Sequence, residues 1–343
     1  MQRPNPCFIG IVLSAAVILL TIVPVRAERF SPALKASCHL ICGAIYDDRF
    51  DEAEMLIDSL TSSGAPLAFC RFFRAVLYLQ EMMVNESDFL EDKFIATLDS
   101  VKADAEMMLA AGTDSALGYG FIGHSHSFRA AYYGRNGRSV FKAARHGLAA
   151  RRAYARAYEI DPAFHDVALG LGSYKYWKSA KTGLINWTPL FKNEKAEGIR
   201  LIRLAIDSSA ISQNAATISL IWVLIDDEYY DEAIHLATDM QREFPNGSVF
   251  RWALGRAYFE SNAWSSAADI YEDILGRLSA NPGNCYNVIE ASYYLSRCYR
   301  RLSYQSDDVP RKLSFLREQI RSMSIPKDTR RMQKHKIEEI LRN

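Results

Sequence analysis

Apolar residues recur at helical spacing along most of this chain, and the breaks between apolar runs fall at turn-forming residues. Residues 67–83 and 88–111 contain neither Pro nor Gly and carry apolar side chains three and four apart, which predicts two helices joined by a turn at Asn85-Glu86-Ser87. A further helix is predicted over 285–302, stopping before the Gln305–Pro310 segment, and two more run to the C-terminus with Pro326 at their junction. No stretch alternates apolar and polar residues as a half-buried strand would. The expected fold class is all-α.

The pattern also repeats. Three segments align without gaps on a small residue, Ala53, Ala233 and Ala267. Three positions earlier stands an aromatic (Phe50, Tyr230, Trp264), and thirteen earlier a leucine (Leu40, Leu220, Leu254). Ile57, Ala237 and Tyr271 follow four positions later, then Leu60, Met240 and Ile274 at seven. Ala233 and Ala267 are 34 residues apart, and Pro245 ends the second unit. Such spacing suits two antiparallel helices crossing at a leucine and an alanine, where the small side chain lets the backbones approach. One pair cannot bury its apolar face alone, so pairs stack.

These residues resemble the tetratricopeptide-repeat family, whose Leu-Gly, aromatic and Ala signature appears as Leu254-Gly255, Tyr258 and Ala267. The resemblance covers 214–281 best and 34–66 less completely. It implies a right-handed α-α superhelix of stacked antiparallel pairs, and no particular function. Within 137–182 the units are broken. Ala150, Tyr154, Ala157 and Pro162 fit a second helix whose first helix is interrupted by Gly134, Asn136 and Gly137. Leu171-Gly172 and Tyr176 fit a first helix, but its partner resumes late, at Gly198, Ile202 and Ala205. The segment 178–195, with Trp187 and Pro189, therefore reads as an insertion. This layout over 115–281 is similar to that of exported bacterial tetratricopeptide-repeat proteins of no assigned activity. The expected organisation is a leader over 1–27, helix pairs with one repeat-like unit over 28–112, a repeat core over 113–283 and C-terminal helices with a basic tail over 284–343.

By the same resemblance, certain first-helix positions would line the inner curve of the superhelix. Carried onto this chain they are Asp166, Leu169, Ser173 and Tyr176, then Ala215, Ile218, Trp222 and Ile225, then Val249, Trp252, Arg256 and Phe259. Tyr176, Trp222, Trp252, Arg256 and Phe259 are the candidate binding residues, since Trp, Tyr and Arg dominate binding hot spots. The alternative is that they pack against the insertion, which carries Leu184, Ile185, Trp187, Leu190 and Phe191, or against the C-terminal helices.

Charge adds a second surface. The chain carries 41 Lys and Arg against 40 Asp and Glu, so its net charge of +1 steers it toward no polyanion as a whole. Locally, eight Lys or Arg and no acid lie between Arg129 and Tyr158. At 100° per residue Arg138, Lys142, Arg145, Arg152 and Arg156 fall within about 80° of one another on one helix face. That stripe is either a solvated face or a strip for anionic lipid, polymer or protein. Residues 300–343 are basic as well, with 12 Lys or Arg against six Asp or Glu.

The N-terminus begins Met1-Gln2-Arg3, continues through an apolar run from Phe8 to Val23 and reaches Val25-Arg26-Ala27, the form of a secretory signal peptide. The run is shorter than the roughly 20 residues of a spanning helix, so no stable transmembrane helix is expected after cleavage. Export places the protein in the periplasm or at the outer membrane and makes nucleic acid an improbable partner. Cys38, Cys42, Cys70, Cys285 and Cys298 are an odd, sparse set, read as small buried hydrophobes or as one pair joining Cys38 or Cys42 to Cys70. His124 and His126 point about 200° apart on a helix and could not share an ion there. The sequence contains neither G-x-S-x-G nor G-x-x-x-x-G-K-[ST]. The reading that results is a non-enzymatic scaffold without metal or cofactor that binds a protein or peptide segment. The alternative is an envelope-associated structural protein acting through the stripe of 138–156, and a helical enzyme is a third class.

Overall fold

A computed structural model describes residues 29–135, 139–181, 193–279, 283–302 and 308–342. The leader, Arg138 and most of the insertion lie outside the described residues. Sixteen helices and no strand occur among the described residues, so the chain is all-α.

The first fourteen helices form pairs: α1 (Pro32–Tyr46) with α2 (Phe50–Ser62), α3 (Leu67–Asn85) with α4 (Glu91–Ala111), α5 (Ser115–Gly134) with α6 (Val140–Ile160), α7 (Asp166–Lys181) with α8 (Lys195–Ser208), α9 (Gln213–Asp226) with α10 (Tyr230–Glu243), α11 (Ser248–Glu260) with α12 (Trp264–Leu278), and α13 (Cys285–Leu302) with α14 (Val309–Ser322). Two short helices, α15 (Lys327–Met332) and α16 (Lys334–Leu341), end the chain. Consecutive helices pack together through α14, and α3, α5, α7, α9 and α11 also touch in succession as one layer.

Local chemistry sets many of the boundaries. Ser31, Asp114 and Ser139 cap α1, α5 and α6 by accepting backbone N–H bonds from Leu34, Leu117 and Lys142. The anchors Ala53, Ala233 and Ala267 are fully buried, as are Ile57, Ala237 and Tyr271 four positions on. Each of these three pairs turns through a left-handed residue five positions before its alanine: Asp48 (φ 55°), Glu228 (φ 65°) and Asn262 (φ 64°). The next backbone N–H then reaches five residues back, Arg49 to Ala44, Tyr229 to Leu224 and Ala263 to Tyr258, at 2.8–2.9 Å. This is a Schellman closure that satisfies a carbonyl of the last turn.

Leu40 departs from the repeat alignment. It is 62% exposed, while Leu220 and Leu254 are buried, because α1 turns Cys38, Ile41, Ala44 and Ile45 inward instead. Helix α1 lies across loops distant in sequence: His39 bonds to the Ala210 carbonyl at 2.8 Å, and Tyr46 packs on Phe244 and Phe250. The broken units are nonetheless paired helices. Gly134, which interrupts the pattern, is the last residue of α5, and α8 meets α7 directly. A Cβ added at Gly172 would stand 2.6 Å from the Gly198 carbonyl oxygen, an approach only glycine allows. Glu194 binds both Lys175 and Lys178 at 2.5 Å, bringing the two stems of the insertion together. The five described cysteines are free thiols.

Candidate binding cavity and basic face

Trp222 on α9 and Trp252 on α11 lie in the layer of odd-numbered helices and share one cavity of about 350 Å³ with Val249. The facing wall is the C-terminal half of α3, Gln80, Met83 and Val84, and the floor is Tyr286, Asn287 and Glu290 of α13. Asn284 and Asn287 donate from their side-chain amides to the Val84 carbonyl, both at 3.0 Å, and so tie α13 to the end of α3. Burial and the Glu290 and Glu86 carboxylates raise the Tyr286 phenol well above its ordinary range, which keeps it a neutral hydroxyl. Two indoles, a phenol and two amides make a wall suited to an apolar group carrying polar edges.

The remaining inner-curve candidates sit elsewhere. Tyr176 is wholly buried between α7 and α9, where its hydroxyl bonds to Asp226 Oδ2 at 2.8 Å and to the Val223 carbonyl at 3.2 Å. Burial and the Asp226 carboxylate together raise its phenol. Phe259 is buried too, edge-on to Trp264 and Tyr294 at 5.3 and 4.9 Å. Arg256 lies over the Tyr294 ring and pairs with Glu260 at 2.7 Å, its side chain half-buried. Neither Tyr176 nor Phe259 lines the cavity, because the adjoining helices fill the space an open inner curve would leave. Asp166, another inner-curve position, spends its carboxylate on the backbone N–H groups of Ala210, Ile211 and Ser212. Leu169, Ser173 and Ala215 line a second cavity of about 450 Å³ beside Tyr154 and Trp177.

Nothing in the local sequence marked α3 and α13 as cavity walls. Their apolar spacing announces a helix, and the choice of which distant helix they face rests on packing across some 200 residues.

Of the basic stripe, Lys142, Arg145, Arg152 and Arg156 are exposed on α6, and Arg138 lies outside the described residues. Arg156 pairs with Glu159 at 3.1 Å. His124 and His126 diverge as a helix requires: His124 bonds to the Tyr154 hydroxyl at 2.9 Å, His126 to His146 at 3.0 Å. Among the described residues no helix is long and apolar enough to cross a membrane.

No family model, curated protein or solved structure matches the chain.

Proposed function

We propose that the protein is a non-enzymatic scaffold of tetratricopeptide type, exported to the periplasm or cell envelope, that holds a protein or peptide segment at the Trp222–Trp252 cavity. Its helix pairs would be units of a right-handed α-α superhelix, with α3 lying across part of the inner face. The observation that carries this reading is the convergence of Trp222, Trp252 and Val249, inner-curve positions of successive units, on one partly exposed cavity. Half-buried indoles at a concave site are the residues that dominate binding energy when an apolar side chain enters. Gln80 and Asn287 line the same cavity, and the Asn287 side-chain oxygen, whose amide nitrogen donates to the Val84 carbonyl, would accept from a peptide N–H.

The test is recovery of partners from an envelope fraction by wild type and by a Trp222→Ala/Trp252→Ala variant whose melting curve shows it folded. A partner retained by wild type and lost by the variant supports the reading, with Trp252→Ala alone costing well over about 1 kcal/mol of affinity. Unchanged binding with lower stability assigns Trp252 to the core, where it already meets Tyr271 edge-on at 6.0 Å.

A further inference from the structure

Residues 115–181 hold 11 Lys or Arg and three Asp or Glu, in a chain whose net charge is only +1. All three acids are engaged: Glu159 pairs with Arg156, Asp161 with Arg29, and Asp166 caps the 210–212 backbone. Several of the bases are engaged as well, Arg129 with Asp99, Arg135 with Asp88, and Lys175 and Lys178 with Glu194. Among the described residues Lys142, Arg145, Arg151 and Arg152 of α6 and Lys181 at the end of α7 meet no carboxylate; Lys142, Arg151 and Lys181 lie over the Tyr133, Tyr174 and Trp177 rings, which leaves Arg145 and Arg152 as bare cations on the exposed face of α6.

That face is not simply a solvated run of charge. Phe141 is 79% exposed and Val140 73%, the two highest exposures of large apolar side chains among the described residues, and Leu148 is 43% exposed. At 100° per residue Phe141 and Leu148 lie within about 60° of Arg145 and Arg152, and roughly opposite the buried Ala150, Ala153, Tyr154 and Ala157. An apolar strip edged by arginines is the arrangement of a helix that rests in a bilayer interface.

We propose that α6 seats the protein on an anionic lipid bilayer. Phe141 and Leu148 enter the acyl boundary, while Lys142, Arg145 and Arg152 reach the headgroup phosphates. Long basic side chains can bury their stems beside the apolar strip and keep their charges in the headgroup layer. A soluble polyanion would engage the cations and leave Phe141 in water, so an exposed Phe beside Arg145 and Arg152, which meet no carboxylate, favours lipid. The surface is separate from the Trp222–Trp252 cavity, and either assignment can fail without the other.

The chain from residue 28, which contains every described helix, is sedimented with phosphatidylcholine vesicles with and without phosphatidylglycerol, at low and high salt. Arg145→Glu/Arg152→Glu and Phe141→Ser variants are compared after melting curves show them folded. Wild type should bind only the anionic vesicles and release as salt rises. The charge reversal should lower vesicle partition at least about tenfold. Phe141→Ser should lower it about fivefold and leave binding to dextran sulfate unchanged. Absence of binding to anionic vesicles overturns the proposal. So does wild-type vesicle binding by Phe141→Ser, which would reduce the face to an anion strip. Undiminished binding by the charge reversal would place the contact on another surface.

Discussion

Tyr154 stands between two glycines of neighbouring helices. A Cβ at Gly123 would come within 2.4 Å of its ring, and one at Gly170 within 2.1 Å. Both positions are glycine because an aromatic ring occupies the space of a side chain. The buried ring brings its hydroxyl to His124 Nδ1, and burial lowers the His124 pKa from 6.5 to about 4. His126 is lowered to about 4 also, first by burial and then by His146, Lys102, Arg129 and Arg145. Between pH 4 and 6.5 the unfolded chain therefore binds protons that the folded chain refuses, and stability rises with pH across that window. The contribution is complete above pH 6.5 and is lost as pH falls toward 4. Melting temperatures at pH 7 and pH 5 should show wild type losing stability on acidification, with a smaller drop for His124→Leu. An equal drop in both would assign the acid sensitivity to other groups.

At the scale of the element, the repeat is most regular where local forces act alone. The buried alanine, the residues four and seven positions later, and the left-handed turn five positions earlier recur in all three aligned pairs. The turn escapes a reading by residue type, since Asp48, Glu228 and Asn262 share a backbone conformation and no identity. Asp and Asn enter it readily and Glu less so. Between elements, the Asp166 carboxylate at the start of α7 accepts N–H bonds from Ala210, Ile211 and Ser212 at 2.9–3.1 Å, fixing the loop from α8 to α9. Asp166→Ala strands these donors in a buried place and should cost about 3 kcal/mol in denaturant unfolding. Asp166→Asn, which keeps one acceptor oxygen, should cost less. A cost near zero for Asp166→Ala would mean water replaces the carboxylate.

The whole molecule is decided by contacts that span most of the chain. Helix α1 and its turn to α2 lie against the 209–212 and 244–248 loops, with Asp47 accepting from the Asn246 backbone N–H at 2.7 Å and its amide at 3.2 Å. Asp48 accepts from the Ser248 N–H at 2.8 Å. The first repeat-like unit thus closes over later loops, and Leu40 is left in solvent because α1 turns Cys38, Ile41, Ala44 and Ile45 toward them. Asp47→Ala should cost about 1–3 kcal/mol. Hydrogen exchange should then quicken in α1 and α2 while α9–α12 keep their protection; uniform quickening would show that the hairpin and the core unfold together. Helix α3 in turn faces Trp222 and Trp252, making the interior a bounded cavity.

The all-helical class, the burial of the anchor alanines and of the residues four and seven positions on, and the exposed bases of α6 were legible in the amino-acid sequence. Each depends on a period of 3.6 residues or on a small side chain at a crossing, both of which are local. The tertiary structure alone decided that Trp222 and Trp252 share a cavity while Tyr176 and Phe259 are sealed in packing. It alone set α3 opposite them and left Phe141 exposed on the face that carries Arg145 and Arg152. A helical period says which face of a helix is apolar. Which distant surface covers that face, or whether any does, depends on the joint packing of elements some 200 residues apart.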